Sequence, residues 1–245
     1  MAIEIIPLHL GTIKLDKSVA ISLSEGGQTI SVVCLAWLIK GGQKITLVDT
    51  GPPDQQWSSK YHKPTTKGPE QLLAHALGAH GVEPEEVEVV INTHLHWDHC
   101  SGNHELPRAK IYLQRKELEY AAAPWPRDAR IYESDLGEPL FTKFYDRIQI
   151  LDGDAEIIPG IRVIHTPGHT PGHQSVVVNT ARGLEIIAGD LFGLYESLDY
   201  SPPWPPGVFT DLGAFYASAA KILNLKGDIL PSHDPKVLSR VIARK

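Results

Sequence analysis

Short apolar runs and amphipathic stretches alternate along the first half of the chain. The apolar runs are rich in isoleucine, valine and leucine and end at turn-forming residues, which is typical of strands in a buried sheet. Before the last of them, residues 69–80 place four apolar side chains on one helical face, between a proline and a glycine, and this pattern predicts a helix. The strands predicted in this half cover residues 3–6, 31–39, 44–48 and 87–91.

The second half of the chain repeats this alternation. Apolar runs again give way to loops rich in glycine and proline, and helical patterns close the chain. The order of elements is typical of an α/β protein. Strands are predicted at residues 111–114, 161–164, 175–178, 184–188 and 228–230, and helices at residues 115–123, 211–225 and 235–244.

Two segments interrupt the pattern. Residues 52–68 are polar and punctuated by proline and glycine, and residues 201–207 carry four prolines around Trp204. Loops of this length in compact domains tend to be functional or mobile. A solvent-exposed loop and a wall of the substrate pocket are both open interpretations for each segment.

Length, composition and charge describe an ordinary globular chain. Its 245 residues suffice for one large domain or two small ones, with 42% hydrophobic and 21% charged residues. The net charge of −6 argues against a broad basic surface for nucleic acid. The longest apolar run, residues 32–39, is too short to cross a bilayer, and no secretory signal pattern precedes it. We therefore expect a cytoplasmic protein with neither a membrane nor a nucleic-acid partner.

Histidine and cysteine usage constrain the metal chemistry. The chain has 12 histidines but only two cysteines, Cys34 and Cys100, so a four-sulfur metal site is impossible. If a metal binds, we expect nitrogen and oxygen ligands to hold it. Cys100 directly follows a histidine, and we interpret it as a buried, unreactive thiol.

Three histidines and an aspartate crowd into the sequence HLHWDH after the strand predicted at residues 87–91. If the extended backbone continues, His94 and His96 project to the same side, because alternate strand residues share a face. Asp98 and His99 follow at a turn and are able to point elsewhere. One short segment can therefore serve two neighbouring metal ions.

Three further candidate ligands follow predicted strands downstream. His169 lies in TPGHTPGH, Asp190 in AGD and His233 in PSHD, each where an apolar run gives way to a loop. Polar residues at strand ends form the rim at which α/β sheets commonly carry their sites. The resulting five histidines and two aspartates suit Zn²⁺ and exceed the needs of one tetrahedral ion, so they fit two ions sharing a carboxylate.

Together these motifs resemble the metallo-β-lactamase superfamily. The resemblance spans residues 31–234 and includes LVDTG at residues 47–51, HLHWDH, TPGHTPGH, AGD and SHD. It implies one hydrolase domain over residues 1–245, with an α/β fold in which two β-sheets lie between helices as a four-layer αβ/βα sandwich.

Carried onto this sequence, the resemblance implies a dinuclear centre with two divalent ions, for which we expect Zn²⁺. The implied ligands are His94, His96 and His169 for the first ion, Asp98, His99 and His233 for the second, and Asp190 as a bridge between them. Asp49 stays open between two interpretations: it orients a ligand imidazole, or it only forms the turn before Thr50.

Within the superfamily, the spacing of the downstream ligands is most similar to N-acyl-homoserine lactonases and relatives such as pyridoxolactonases. This resemblance implies a tyrosine three residues after the bridging aspartate, where its hydroxyl assists at the substrate carbonyl. Here that position is Gly193, and Tyr195 is the nearest tyrosine. We therefore include Tyr195 among the candidate catalytic residues.

The resulting hypothesis is a hydrolase that opens a cyclic ester by attack of a hydroxide bridging the two ions. Asp98 or Asp190 would relay the proton to the departing alkoxide. The expected partner is a small-molecule lactone or ester, and the oligomeric state stays open. The alternatives are a glyoxalase II-like thioesterase, another hydrolase of the same fold, or a metal-binding protein without catalysis.

Overall fold

Two β-sheets pack face to face in a computed structural model that describes residues 2–24, 26–62, 65–133 and 137–242. The larger sheet has seven strands in the order β4-β1-β2-β3-β5-β6-β7. A long hairpin of β1 and β2 forms its antiparallel half, whereas β3, β5, β6 and β7 run parallel. The strands are β1 (Glu4–Asp16), β2 (Thr29–Lys40), β3 (Thr46–Val48), β4 (Thr65–Thr66), β5 (Val89–Ile91), β6 (Lys110–Gln114) and β7 (Ile148–Leu151).

The smaller sheet has five strands in the order β12-β11-β10-β9-β8. Strand β10 is antiparallel to both β9 and β11, and β11 is parallel to β12, so that β9, β11 and β12 run in one direction. Their carboxyl ends consequently meet at one edge of the sheet. The strands are β8 (Ala155–Ile158), β9 (Ile161–His165), β10 (Gln174–Thr180), β11 (Gly183–Gly189) and β12 (Asp228–Pro231).

Helices cover the outer faces of both sheets. Three of them follow an N-cap aspartate whose side chain accepts a hydrogen bond from a backbone amide of the first turn. The helices are α1 (Lys17–Ala20), α2 (Gln55–Tyr61), α3 (Leu73–Gly78), α4 (Trp97–Cys100), α5 (Arg115–Ala122), α6 (Ala129–Tyr132), α7 (Leu212–Leu223) and α8 (Lys236–Ile242).

The alternation of side chains along β2 explains the layering. Val32, Ala36 and their neighbours on one face pack with helices α3 and α5, whereas Val33 and Trp37 on the other face pack against the second sheet. A third core lies between the second sheet and α7, around Phe215. The order helix, sheet, sheet, helix confirms the predicted four-layer αβ/βα sandwich.

Some element predictions need correction. The strand predicted at residues 3–6 is the start of the 13-residue β1, which continues because residues beyond position 6 pair with β2 across an irregularity near Gly11. The helix predicted at residues 69–80 is broken at Leu72, whose backbone is extended, into a 3₁₀ turn and α3. The end of the helix predicted at residues 235–244 lies outside the described residues.

The described part of the chain contains no helix with the length and apolar character needed to span a membrane.

Candidate metal centre

Three imidazoles from two loops converge at the edge where the carboxyl ends of the strands meet. His94 and His96 follow β5, and His169 lies in the loop between β9 and β10. His94 Nε2 lies 2.9 Å from His96 Nδ1, and His169 Nε2 lies 3.3 Å and 3.1 Å from these two atoms. Ligand atoms of a tetrahedral Zn²⁺ bound at about 2.0 Å are about 3.3 Å apart, so the spacing of the three nitrogens fits such an ion.

A second group of donors adjoins the first and shares Asp190, which follows β11. Asp190 Oδ1 lies 3.2 Å from His99 Nε2 and 3.1 Å from His233 Nε2, whereas Oδ2 lies 3.4 Å from His169 Nε2. The carboxylate of Asp98 lies 3.9 Å from both His99 Nε2 and His233 Nε2. Asp190 thus directs one oxygen at each group of imidazoles, which is the geometry expected of a bridging ligand.

Hydrogen bonds on the far side of each ring fix which nitrogen faces the centre. His94 Nδ1 donates to Thr93 Oγ1 at 3.0 Å, because that hydroxyl donates its own proton to Asp49. His169 Nδ1 donates to the carbonyl of Val208 at 2.7 Å. Both rings therefore present an unprotonated Nε2. Two such lone pairs 3.3 Å apart repel each other unless a cation lies between them, so the residues present fit a metal ion.

The pKa values of the histidines shift in opposite directions in the two donor groups. Burial lowers the pKa values of His94, His96 and His169, because a charged ring is costly in a dry interior, and these rings are neutral at pH 7. Burial opposes charge on His99 and His233 as well, but neighbouring carboxylates, chiefly that of Asp190, outweigh it and raise both pKa values. A divalent cation would replace these protons, since imidazole ligands bind metals in the neutral form.

Asp49 supports two of the histidines from the end of β3. Its Oδ2 accepts from His99 Nδ1 at 2.8 Å and from Thr93 Oγ1 at 2.8 Å, and its Oδ1 accepts from the Thr93 amide at 2.8 Å. The residue is buried and has a φ of 57°, in the left-handed region that aspartate tolerates better than most side chains. This geometry supports the interpretation that Asp49 orients ligand imidazoles.

At Gly189 the backbone turns at the end of β11 and directs Asp190 towards the two donor groups. The φ of Gly189 is +58°, and a Cβ there would lie 2.5 Å from His173 Nε2. The Nδ1 of His173 donates to Thr166, and burial lowers the pKa of His173 to about 3. A neutral, buried His173 therefore packs behind the ligands, and only glycine fits between it and Asp190.

Glu117 on α5 is a buried carboxylate that the sequence analysis missed. Its Oε1 accepts from the amide of Leu95 at 2.9 Å and from the hydroxyl of Tyr132 at 3.0 Å. Its Oε2 accepts from the hydroxyl of Thr170 at 2.5 Å and from the amide of Gly172 at 3.2 Å. Leu95 lies between His94 and His96, and Thr170 follows His169. Glu117 therefore joins the two loops that carry the first group of imidazoles.

Replacing Glu117 with glutamine is expected to weaken zinc binding about tenfold or more, because outer residues that orient ligands typically contribute that much. The amide cannot accept from all four donors, and one buried donor left unsatisfied costs about 1–3 kcal/mol of folding stability. Zinc affinity by chelator competition and the thermal unfolding of the metal-free protein measure the two effects separately. Glu119→Gln, at an exposed position of the same helix, is the control. Unchanged zinc affinity in Glu117→Gln would contradict this role.

A cavity of about 340 Å³ opens onto these donors. His96, Asp98, His169, Asp190 and His233 border it on one side. The remaining wall is mainly apolar and comes chiefly from β1, α1 and the loop before α7, with single residues from β2, α4 and α6. Its apolar residues include Ile13, Leu15, Val19, Ala20, Pro206 and Val208. The arrangement suits a substrate that presents a polar group to the donors and an apolar group to the wall.

Tyr195 does not border this cavity. Its ring packs against the core between the two sheets, and its backbone amide donates to Asp234 at 2.9 Å, which fixes the turn that it begins. Gly193 forms the cavity wall at this point. The position of Tyr195 therefore does not support the predicted role at the substrate carbonyl.

The two irregular segments differ in their relation to the cavity. Segment 201–207 contributes Pro206 to the wall, while Trp204 stacks on Tyr200 with ring centroids 3.9 Å apart. The described part of segment 52–68 lines a separate cavity instead, through residues such as Trp57 and Lys67. Residues 63 and 64 of that segment lie outside the described residues.

Comparisons with known proteins agree with this architecture. A family model of the metallo-β-lactamase superfamily matches residues 31–233. An N-acyl homoserine lactonase from a Bacillus species is 30% identical over 186 residues, which cover 72% of this chain and 70% of that protein.

Two solved structures share the fold. A variant of AiiA from B. thuringiensis with N-decanoyl-L-homoserine bound at its active site has a TM-score of 0.79 and 24% identity, covering 96% of this chain and 95% of that chain. AidC, a dizinc quorum-quenching lactonase, has a TM-score of 0.74 and 19% identity, covering 95% and 88%. The family model, the related sequence and the shared fold lead to one conclusion: this chain is a metal-dependent hydrolase that belongs to the metallo-β-lactamase superfamily.

Proposed function

We propose that this protein is a lactonase that opens the ring of N-acyl-homoserine lactones. The observation that carries the proposal is that seven donors converge and that five of them border one side of an apolar cavity. The similarity to an N-acyl homoserine lactonase from Bacillus supports the same substrate class. A lactone ring with an acyl chain has the polar and apolar halves that such a cavity suits.

The proposed ligands of two divalent ions, with zinc as the expected metal, follow the geometry of the two donor groups. His94, His96 and His169 would hold one ion, and Asp98, His99 and His233 the other, with one oxygen of Asp190 for each. When bound, such a pair of ions lowers the pKa of a water molecule between them and polarises an ester carbonyl.

The chain's own residues provide proton transfer and positioning. Asp98 borders the cavity beside His233, where its carboxylate can take a proton from the attacking water. As the new C–O bond forms and the ring C–O bond breaks, Asp98 can return that proton to the departing alkoxide. Asp190, held by a 2.6 Å hydrogen bond from Ser232, is fixed between the two groups and acts chiefly as a ligand. The product is the ring-opened hydroxy acid.

A substrate panel on metal-analysed protein tests the proposal. We expect turnover of N-acyl-homoserine lactones to exceed that of aromatic lactones, thioesters, β-lactams and phosphodiesters. Turnover is measured as acid release, with metal content determined on the same sample. A fully metal-loaded protein that hydrolyses a thioester or another class better than every lactone would overturn the proposal.

The cavity wall leads to a prediction about acyl-chain length. Ala20→Phe fills part of the wall, and we expect kcat/KM for a decanoyl lactone to fall about tenfold or more, while kcat/KM for a butanoyl lactone stays nearly unchanged. Each methylene moved out of an apolar site costs about 0.8 kcal/mol, or about fourfold. Ala122→Phe, at the exposed end of α5, is the control. Equal losses of kcat/KM for both lactones would indicate that the acyl chain does not bind along this wall.

A further inference from the structure

Cys34 lies on β2 next to the strand residue that anchors a proposed metal ligand. The amide of Val33 donates to the carbonyl of His233 at 3.1 Å, and the carbonyl of Val33 accepts from His233 Nδ1 at 2.8 Å. Cys34 is fully buried and shares its face of the strand with Val32, which lines the cavity. Strand β2 therefore binds His233 through Val33 and also places the thiol of Cys34 near the donor groups.

The donor atoms of this thiol and of two proposed ligands converge. Cys34 Sγ, a carboxylate oxygen of Asp98 and a ring nitrogen of His233 all lie within 4.8 Å of one another. Donors of one zinc ion, with Zn–S at about 2.3 Å and Zn–N or Zn–O at about 2.0–2.2 Å, are about 3–4.5 Å apart, depending on the angle between them. A small contraction would bring all three donors onto one cation.

A further buried atom points to the same place. His99 Nε2 is buried and lies 3.2 Å from Asp190 Oδ1 and 3.9 Å from the same carboxylate of Asp98. A cation between Asp98 and His233 would therefore lie near a ring nitrogen of His99 as well as near the thiol of Cys34.

The other cysteine provides a contrast within the same protein. Cys100 is also fully buried, but its Sγ donates to the carbonyl of Leu95 at 3.4 Å. Among the clusters of potential donors found in the described residues, Cys34 is a member of one and Cys100 of none. The two thiols are thus matched in burial and differ in access to the centre.

We propose that Cys34 is a thiolate ligand of the second cation, together with Asp98, His99 and His233. As the sulfur–metal bond forms, the thiol proton is released to the solvent. One sulfur among nitrogen and oxygen donors makes this half of the centre favour thiophilic ions such as Zn²⁺, Co²⁺ and Cd²⁺ over Mn²⁺ and Mg²⁺. The inference rests on the proposed metal centre and is independent of the proposed lactone substrate.

Cobalt titration of chelator-treated protein tests the proposal. A thiolate bound to Co²⁺ gives an intense near-ultraviolet charge-transfer band, which imidazole and carboxylate ligands do not. We expect the wild-type protein to develop this band as the second site fills, Cys100→Ser to keep it and Cys34→Ser to lose it completely. A wild-type protein that binds two Co²⁺ without the band, or a band that survives in Cys34→Ser, would overturn the assignment.

A measurement on the unmodified zinc protein covers the case in which Cys34→Ser does not fold. X-ray absorption at the zinc edge is expected to require one sulfur per two zinc ions, at about 2.3 Å. A first shell of nitrogen and oxygen alone would reject Cys34 ligation.

Lactone turnover of the same samples separates the two proposals. Sulfur coordination without lactone turnover supports the Cys34 assignment and counts against the lactonase. Turnover without sulfur coordination overturns the Cys34 assignment and leaves the lactonase proposal standing.

Discussion

Asp98→Asn is expected to lower the kcat for lactone opening by about 10²- to 10⁴-fold, the range that a positioned proton-transfer group contributes. The amide has the shape of the carboxylate and can bind a cation through its oxygen, but it cannot take up and return a proton. Fold and much of the metal content should therefore persist. Initial rates at saturating lactone, circular dichroism and metal analysis of the same preparation test these expectations.

The control for this variant is Asp146→Asn, which makes the same chemical change at an exposed position. We expect it to behave as the wild-type protein. If Asp98→Asn retains wild-type turnover with full metal content, the proton passes through another group. If the variant loses its metal together with its activity, Asp98 acts mainly as a ligand.

The local part of the centre was accessible from sequence because strand geometry dictates it. Alternate residues of an extended segment share a face, and His94 and His96 accordingly meet with facing ring nitrogens 2.9 Å apart. His169, Asp190 and His233 could be proposed because each follows a predicted strand, and the family resemblance implied their roles as ligands; in the structure the three strands run in one direction in the same sheet. The four-layer fold was implied by the resemblance and is confirmed by the structure.

The supporting role of Glu117 could not be identified in the same way, because its partners are distant in sequence. Glu117 lies in a polar helical stretch and has the appearance of a surface residue, yet it accepts from Leu95, 22 positions before it, and from Gly172, 55 positions after it. A usable signal was present in Gly172, where a Cβ would lie 2.1 Å from the Glu117 amide nitrogen. A glycine at such a position indicates close approach of another segment.

Tyr195 and Cys34 show two ways in which position in the sequence is a poor guide to position in the site. Proximity in sequence to Gly193 suggested Tyr195, but the intervening turn directs its ring into the core. The number of cysteines excludes a four-sulfur site, and the expectation of nitrogen and oxygen ligands alone stays a prediction that the proposed ligation by Cys34 would revise. The thiol of Cys34 precedes Asp98 by more than 60 residues, so sequence spacing gave no sign that donor atoms of Cys34, Asp98 and His233 lie within 4.8 Å of one another.

Asp49→Asn is expected to weaken metal binding about 10- to 100-fold, the usual effect of losing a carboxylate that orients a metal-binding imidazole. Asp49 accepts from His99 Nδ1 and from both polar groups of Thr93, and an amide oxygen with one adjoining NH₂ cannot satisfy all three donors. Removing the negative charge also takes away one of the carboxylates that favour a charged His99, while Asp190 and Asp98 remain, so we expect a loss of folding stability below that of a fully broken buried pair, which is about 3–5 kcal/mol. Zinc affinity by chelator competition and denaturant unfolding of the metal-free protein measure the two losses.

This substitution distinguishes the two interpretations that the sequence left open for Asp49. Asparagine tolerates the left-handed backbone at φ 57° as well as aspartate does, so a residue needed only for the turn would accept the change with little effect. Asp49→Ala separates the contributions further, because it loses the acceptor and also strains the backbone. If Asp49→Asn keeps the wild-type zinc affinity and only Asp49→Ala loses stability, the interpretation that Asp49 merely forms the turn is favoured. A similar loss of zinc affinity in both variants would establish that the carboxylate holds His99 and, through Thr93, His94 in place for the metal.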